Sequence, residues 1–237
     1  MNTKNPYISV VIPAFNEEKY LPQCLKALQN QTFKDFEIIV VDNNSTDETA
    51  EIAKKADTKV VEEKRQGTTF AQEKGFSSAR GSIIARTDAD TIVSPNWLSL
   101  IAKTFRENPD VVALTGSFDS PYKTFPNLLF HLATLIFVSF TQILTGHPAL
   151  HGPNMAVRKD AWKKVKIHNY DSLVHEDIDL ACHLSKIGKI LFLPHLKTTY
   201  SLRRIKKPVS LFVEYPIRYF KTIFLHHPGL KRHKILI

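Results

Sequence analysis

The chain has 237 residues, 43% of them hydrophobic and 23% charged. That composition excludes a disordered or collagenous chain, two cysteines exclude a disulfide scaffold, and at roughly 150 residues per domain the length suits one domain with an appendage. The net charge of +9 is unevenly spread: residues 1–157 hold 15 Lys/Arg and 17 Asp/Glu, residues 158–237 hold 17 and 6. An acidic front and a basic back suggest two jobs on one chain.

Short β-branched runs alternate with helical patterns from the start. Tyr7–Ile12, Phe36–Val41, Lys59–Val61, Ser82–Ala85 and Asp110–Leu114 read as strands. They are apolar on successive residues, as strands of a parallel sheet covered on both faces must be. Between them Glu17–Asn30, Asp47–Ala56, Thr68–Ala79 and Pro95–Glu107 read as helices, the second with a capping-box pattern in Ser45 and Glu48. This alternation implies an α/β fold with a doubly wound, mostly parallel sheet flanked by helices, whose ligands bind at the carboxyl ends of the strands. Further on, 125–145 is a charge-free stretch and Gly146–Pro153 a turn-rich loop. Glu176–Ile187 is an amphipathic helix that Gly188 should end in the usual C-terminal position. Lys189–Leu193 and Thr198–Leu202 are expected strands, and Pro208 onward is helical, aromatic and basic.

Three polar clusters follow expected strands: Pro13–Glu17, Asp42–Asp47 and Asp88-Ala89-Asp90. In a parallel sheet all three open on one edge. The carboxylates of an extended Asp-x-Asp point the same way, and such a pair suits Mg2+ or Mn2+, which accept oxygen ligands and bridge to phosphates. The same pair also suits a plain strand end or a helix cap. Asn44, Ser45 and Asp47 are good turn formers, whereas Asp42, directly after its strand, can accept hydrogen bonds from a nucleobase or ribose. No Gly-x-Gly-x-x-Gly follows the first strand, so a dinucleotide site is not supported. Glu176 and Asp177 open a helix, where acids are stabilised by its dipole, and either could also serve as general base. Arg203 and Arg204 are a solvated basic edge or a diphosphate-recognising pair.

In this order the segments SVVIPAFNEEKYLPQCL, VVDNNSTDET, SIIARTDADT, GPNMAVRKDAW, HEDIDLACHLSKIG and TTYSLRR resemble the family 2 glycosyltransferases, which are inverting enzymes of the GT-A fold. The resemblance implies a nucleotide-diphosphate sugar donor, an acceptor hydroxyl and Mn2+ or Mg2+ as cofactor. By position, Pro13, Ala14, Asn16 and Glu17 line the nucleotide pocket, Asp42 contacts the base, and Asp88 contacts the ribose or diphosphate. Asp90 ligates the metal, Asp177 is the catalytic base with Glu176 as fallback, and Arg203 and Arg204 face the leaving diphosphate. Lys74 stands where similar proteins often carry Arg and would approach the donor phosphates. Lys166–Asp171 replaces the Gly-Gly-Phe segment often found before the Glu-Asp pair, on the acceptor side. The implied domain spans 1–205, with a nucleotide-binding half at 1–116 and an acceptor half at 117–205, and 206–237 forms a basic aromatic extension.

Other readings compete. Asp88-Ala89-Asp90-Thr91 also resembles the nucleophile loop of haloacid-dehalogenase-type phosphatases, but about 80 residues of α/β pattern precede it where that fold has its first strand. A non-catalytic basic module for membranes or nucleic acid would explain the tail and leave the three loops unexplained. Residues 128–144 hold 12 apolar residues of 17, short of a plain span of about 20. They can pack on the domain, lie in a membrane interface or span; spanning would put the Asp90 and Asp177 segments on opposite sides of the bilayer. Residues 203–237 carry nine Lys/Arg and one acid among aromatics, which fits an anionic membrane surface. A glycan or lipid-linked acceptor, no nucleic acid, and a cytoplasmic protein peripheral on the inner face of the cell membrane are therefore expected. Cysteine usage and an N-terminus without a signal-peptide pattern point the same way.

Overall fold

The structure is a computed structural model, and it describes residues 5–119, 126–165, 174–201 and 213–227. In chain order its elements are β1 (Ile8–Ala14), α1 (Leu21–Gln29), β2 (Phe36–Asp42), α2 (Thr49–Lys55), β3 (Lys59–Glu62), α3 (Thr68–Ser78), β4 (Ile83–Arg86), β5 (Thr91–Val93), α4 (Trp97–Glu107), β6 (Val111–Asp119) and α5 (Pro126–Thr145). A 3-10 turn (Gly152–Asn154) leads to β7 (Met155–Arg158), α6 (Lys159–Trp162), α7 (Glu176–Leu184), β8 (Lys189–Tyr200), α8 (Tyr215–Lys221) and a π-helical turn, Thr222–His226.

The strands form one sheet in the order β3-β2-β1-β4-β7-β6-β8-β5. β1 runs parallel to β2 and β4, β2 to β3, and β6 to β8. β7 is antiparallel to both β4 and β6, and β5 is antiparallel to β8. The β1 sequence explains its central place: Val10 and Ile12 face one apolar layer and Val11 the other, so no face of the strand is left for water. One layer holds Leu25 of α1, Ala53 of α2 and Trp97, Ile101 and Phe105 of α4. The opposite layer holds Phe76 of α3, Ala161 of α6 and Leu180 and Leu184 of α7. A smaller cluster of Ile178, Cys182, Tyr219 and Ile223 joins α7 to the C-terminal helical segment.

Several local expectations are corrected. α1 starts at Leu21 rather than Glu17, because Pro22 takes a first-turn position, where its missing N–H costs nothing. The Ser45–Glu48 capping box does not form. α2 begins after Glu48, and Asp47 accepts the Thr49 amide at 3.0 Å instead, while Ser45 Oγ accepts from Asn16. The two strands expected after Gly188 are one strand, β8, which changes register against β6 between Gly116 and Ser117. Gly188 is not in a left-handed conformation; a Cβ there would lie 2.2 Å from Val112 Cγ1, so the residue serves close approach to β6. β5 and β7 were not expected. Each has only three or four residues, too few for a period to declare itself.

α5 packs Val138, Thr141 and Thr145 inward and leaves Leu132, Ile136, Phe140 and Ile143 exposed. Thr141 is hydrogen-bonded to the Tyr219 hydroxyl at 2.8 Å, which fixes α5 beside α8. Among the described residues, no helix is long and apolar enough to cross a membrane.

Candidate active site

The carboxyl ends of β1, β2 and β4 converge as a parallel sheet requires. The loop after β1 is fastened to the loop after β2. Asn16 Oδ1 accepts the Thr46 amide at 2.8 Å, and the Glu17 amide donates to Thr49 Oγ1 at 2.8 Å. Asn16 and Asn44 take left-handed φ values of 54° and 65°, which asparagine tolerates better than most residues. Asn43 extends the seam: its amide nitrogen donates to the carbonyls of Glu63 and Arg65, and its oxygen accepts the Gly67 amide.

These loops enclose a cleft of ≈ 230 Å³. Pro13, Ala14 and Glu17 form one wall, Asn43 another, Gly67 and Thr68 at the start of α3 a third, and Asp88 and Asp90 the floor. The first turn of α3 has no acidic residue, so no side chain of its own offsets the positive end of the helix dipole where it meets the cleft. Beneath the floor, the Cys24 thiol donates to the Asp88 carbonyl at 3.5 Å. Burial pushes its pKa far up, and Asp88, Asp90 and Glu17 push it further, so the thiol registers a concentration of negative charge. An all-carboxylate set of this kind matches hard divalent cations.

Arg86 connects this cleft to α7. Its buried guanidinium donates through Nη1 to Asp177 Oδ1 at 2.6 Å and to Gln72 Oε1, and Nη2 lies 3.4 Å from Asp88 Oδ1. Asp177 Oδ2 accepts the Gly152 amide at 2.8 Å. A Cβ at 152 would stand 2.5 Å from the guanidinium carbon, so any larger residue there would displace Arg86 from this pairing. Burial raises the Asp177 pKa to about 6; Arg86 opposes the shift and Glu176 adds to it. Burial also works to raise Glu176, but His175, Arg86 and Arg218 together hold it below the ordinary glutamate value. Arg218 of α8 donates to Glu176 Oε2 at 3.0 Å and to the Val174 carbonyl at 2.9 Å. The Arg86 Nε–H and the Gln72 amide nitrogen are buried without a partner among the described residues.

The expected residues therefore fall in different places. Pro13, Ala14, Glu17, Asp88 and Asp90 border the cleft. Asn16 lies on the loop seam, and Asp42 accepts the Ser45 amide at 3.2 Å one residue before the cleft wall. Asp177 is tied to Asp88 through Arg86, while Glu176 pairs with Arg218. Lys74 is exposed on α3 outside the cleft lining, where it acts electrostatically on Glu63. Arg203, Arg204 and the segment 166–171 lie outside the described residues. Arg86, Gln72 and Gly152 were not anticipated, and Asn43 lay in the Asp42–Asp47 cluster without a role of its own. Arg86 carried a signal, since a cation closing an apolar strand covered on both faces must have buried partners.

The sheet order, the cleft at the strand ends and the acid pair on its floor define a nucleotide-handling α/β fold. Residues 9–166 match the family model for glycosyl transferase family 2, and the chain belongs to that family. An uncharacterized glycosyltransferase of Haemophilus influenzae is 27% identical over 218 residues, covering 83% of this chain and 66% of that protein. The mannosyltransferase PcManGT of Pyrobaculum calidifontis, solved with GDP-Man and Mn2+, superposes with a TM-score of 0.69 at 20% identity, covering 95% of this chain and 71% of that one. Glucosyl-3-phosphoglycerate synthase of Mycobacterium tuberculosis, solved with Mn2+, UDP and glucosyl-3-phosphoglycerate, gives 0.69 at 16% identity, covering 93% and 79%. These two likenesses show the GT-A fold. The chain spans 33% to 66% of the length of three curated relatives it matches.

Proposed function

We propose that the chain is an inverting glycosyltransferase, moving a sugar from a nucleotide-diphosphate donor to an acceptor hydroxyl. The carrying observation is the joined site: the Asp88–Asp90 floor, the start of α3 beside it and, through Arg86, the buried Asp177. Pro13, Ala14, Glu17 and Asn43 wall the nucleotide pocket, and Asp42 supports the base side. The α3 amides, with Arg203 and Arg204, take the diphosphate. Asp90, with Asp88, holds Mn2+ or Mg2+, which when bound neutralises the charge that develops on the leaving diphosphate.

Asp177 accepts the proton of the acceptor hydroxyl as the new C–O bond forms and the bond to the diphosphate breaks on the opposite face of the sugar. Each Asp177 oxygen accepts one hydrogen bond, which leaves each a further lone pair. Its pKa of about 6 keeps it ionised at neutral pH and basic enough for that task. Arg86 and Gly152 hold it as positioning groups. The phosphatase reading loses ground because the Asp-x-Asp loop follows the fourth strand of the sheet, not the first.

Differential scanning fluorimetry across UDP- and GDP-sugars with and without Mn2+ tests the donor site. The expected result is metal-dependent stabilisation by one of them that disappears in Asp90→Asn. Stabilisation by phosphate analogues alone would refute the assignment.

The acceptor is taken to be a glycan or a lipid-linked sugar, met by a cytoplasmic protein at a membrane surface. Leu132, Ile136, Phe140 and Ile143 of α5 form one exposed apolar stripe at helical spacing, and Ile217, Phe220 and Phe224 form another on the C-terminal segment, which belongs to the basic part of the chain. Co-sedimentation with phosphatidylglycerol vesicles should exceed that with neutral vesicles, and Ile136→Glu with Phe224→Glu should abolish it. No sedimentation with either vesicle would end this reading.

A further inference from the structure

On α7, from Asp179 in its first turn onward, a second cluster of side chains with metal-ligating atoms comes together, chemically unlike the cleft. Asp179 and His183 are four residues apart and so share one helix face. The C-terminal segment delivers His227 to the same point. His227 Nε2 stands 2.7 Å and His183 Nε2 3.7 Å from Asp179 Oδ1, and one donor atom from each residue lies within 4.8 Å of the others. The two imidazoles meet edge to face, with centroids 4.9 Å apart. In a tetrahedral centre with ligand bonds of about 2.0–2.2 Å, donor atoms stand about 3.3–3.6 Å apart. The observed separations bracket that value. The Asp179 and His227 side chains are only 1% exposed, and although the His183 side chain is 20% exposed its Nε2 is buried, so the three donor atoms form an enclosed set.

We propose that Asp179, His183 and His227 bind a divalent transition-metal ion of the zinc class. Two imidazole nitrogens and one carboxylate oxygen suit Zn2+, whereas Mg2+ and Mn2+ prefer the all-oxygen set of Asp88 and Asp90. The site is a staple between α7 and the C-terminal segment. That segment also reaches the start of α7, through Arg218 to Glu176 and through the Thr222 hydroxyl, which accepts the His175 amide at 2.8 Å. Occupancy therefore steadies the turn that carries Glu176 and Asp177, and the three ligands are positioning residues.

The test uses the full chain carrying Asp90→Asn, so that the cleft contributes no metal binding, stripped with a chelator and titrated with Co2+ and then Zn2+. One equivalent of Co2+ should give a visible ligand-field band that Zn2+ removes and Mg2+ does not, and Zn2+ should raise the melting temperature. His183→Gln leaves the Asp179–His227 contact intact. It should erase the band and weaken Zn2+ binding by at least the roughly 10–100-fold that loss of an outer-sphere partner costs. Absence of a saturable band, or a band and a Zn2+ response that survive His183→Gln, would overturn the site.

Discussion

The two ends of the sheet carry very different concavities. At the amino ends of the strands lies the larger one, ≈ 700 Å³, lined by Arg80, Arg106, Arg158, Lys159 and Lys163. By size and charge it looks the better anion site. Its cations are mostly committed, however. Arg80 pairs with Glu37 at 2.8 Å, Arg106 stacks over Tyr7 and Phe33, and Arg158 donates to the carbonyls of Phe105, Asn108 and Val111. Lys159 donates to the Ala79 carbonyl at 2.5 Å, and burial lowers its pKa. At the carboxyl ends the cleft has a third of the volume and is bordered by grouped carboxylates and the start of α3, with the buried Arg86 guanidinium behind it, whose Nε–H has no partner among the described residues. The difference teaches that volume and net charge alone do not single out a site: the larger groove spends its cations on the fold, while the smaller cleft groups carboxylates that the proposed function uses.

Breaking the chemistry at the small end should have the largest effect. Asp177→Asn is expected to lower the transfer rate by about 10²–10⁴, the usual worth of a general base, with donor binding retained. Isothermal titration with donor beside single-turnover transfer separates the two, and near-normal turnover would refute the base. In the wild-type protein kcat/KM should fall on an acid limb near pH 6, since Asp177 loses its proton-accepting form as pH drops through its raised value. Next in size, Arg86→Met should cost stability by about 3–5 kcal/mol in urea denaturation, because it leaves Asp177 with a buried charge and no cation. A loss below about 1 kcal/mol would mean that Asp177 is neutral and the pair unimportant. The smallest effect sharpens the contrast. Lys163→Ala, exposed in the large groove, should shift stability by no more than about 0.5 kcal/mol and leave transfer unchanged. A loss of transfer there would move attention to the other end of the molecule.

The strands that align three polar loops were readable because each is a β-branched run covered on both faces, and loop convergence follows from parallel pairing alone. The Asp88–Asp90 floor was readable for the same reason. What escaped depends on contacts distant in sequence. Arg86 is 91 residues from Asp177 and Gly152 is 25, so their meeting is visible only once β7 lies against β4. β7 itself is four residues long and antiparallel, which breaks the βα rhythm that the reading relied on. The capping box failed because Ser45 has a competing partner in the first loop, which a local pattern cannot report.

The placement of β5 also bears on how the molecule is assembled. Its strand partner is β8, about 100 residues further along the chain, and the Ser201 amide at the end of β8 donates to the Asp90 carbonyl at 3.2 Å. During synthesis the segment bearing Asp90 must wait for β8 to emerge before it can be clamped. Strands β1–β4 can pair early, while the floor of their cleft is finished late, by a contact of high sequence separation. A nascent chain stalled short of residue 189 thus has the walls of its pocket and an unsecured base.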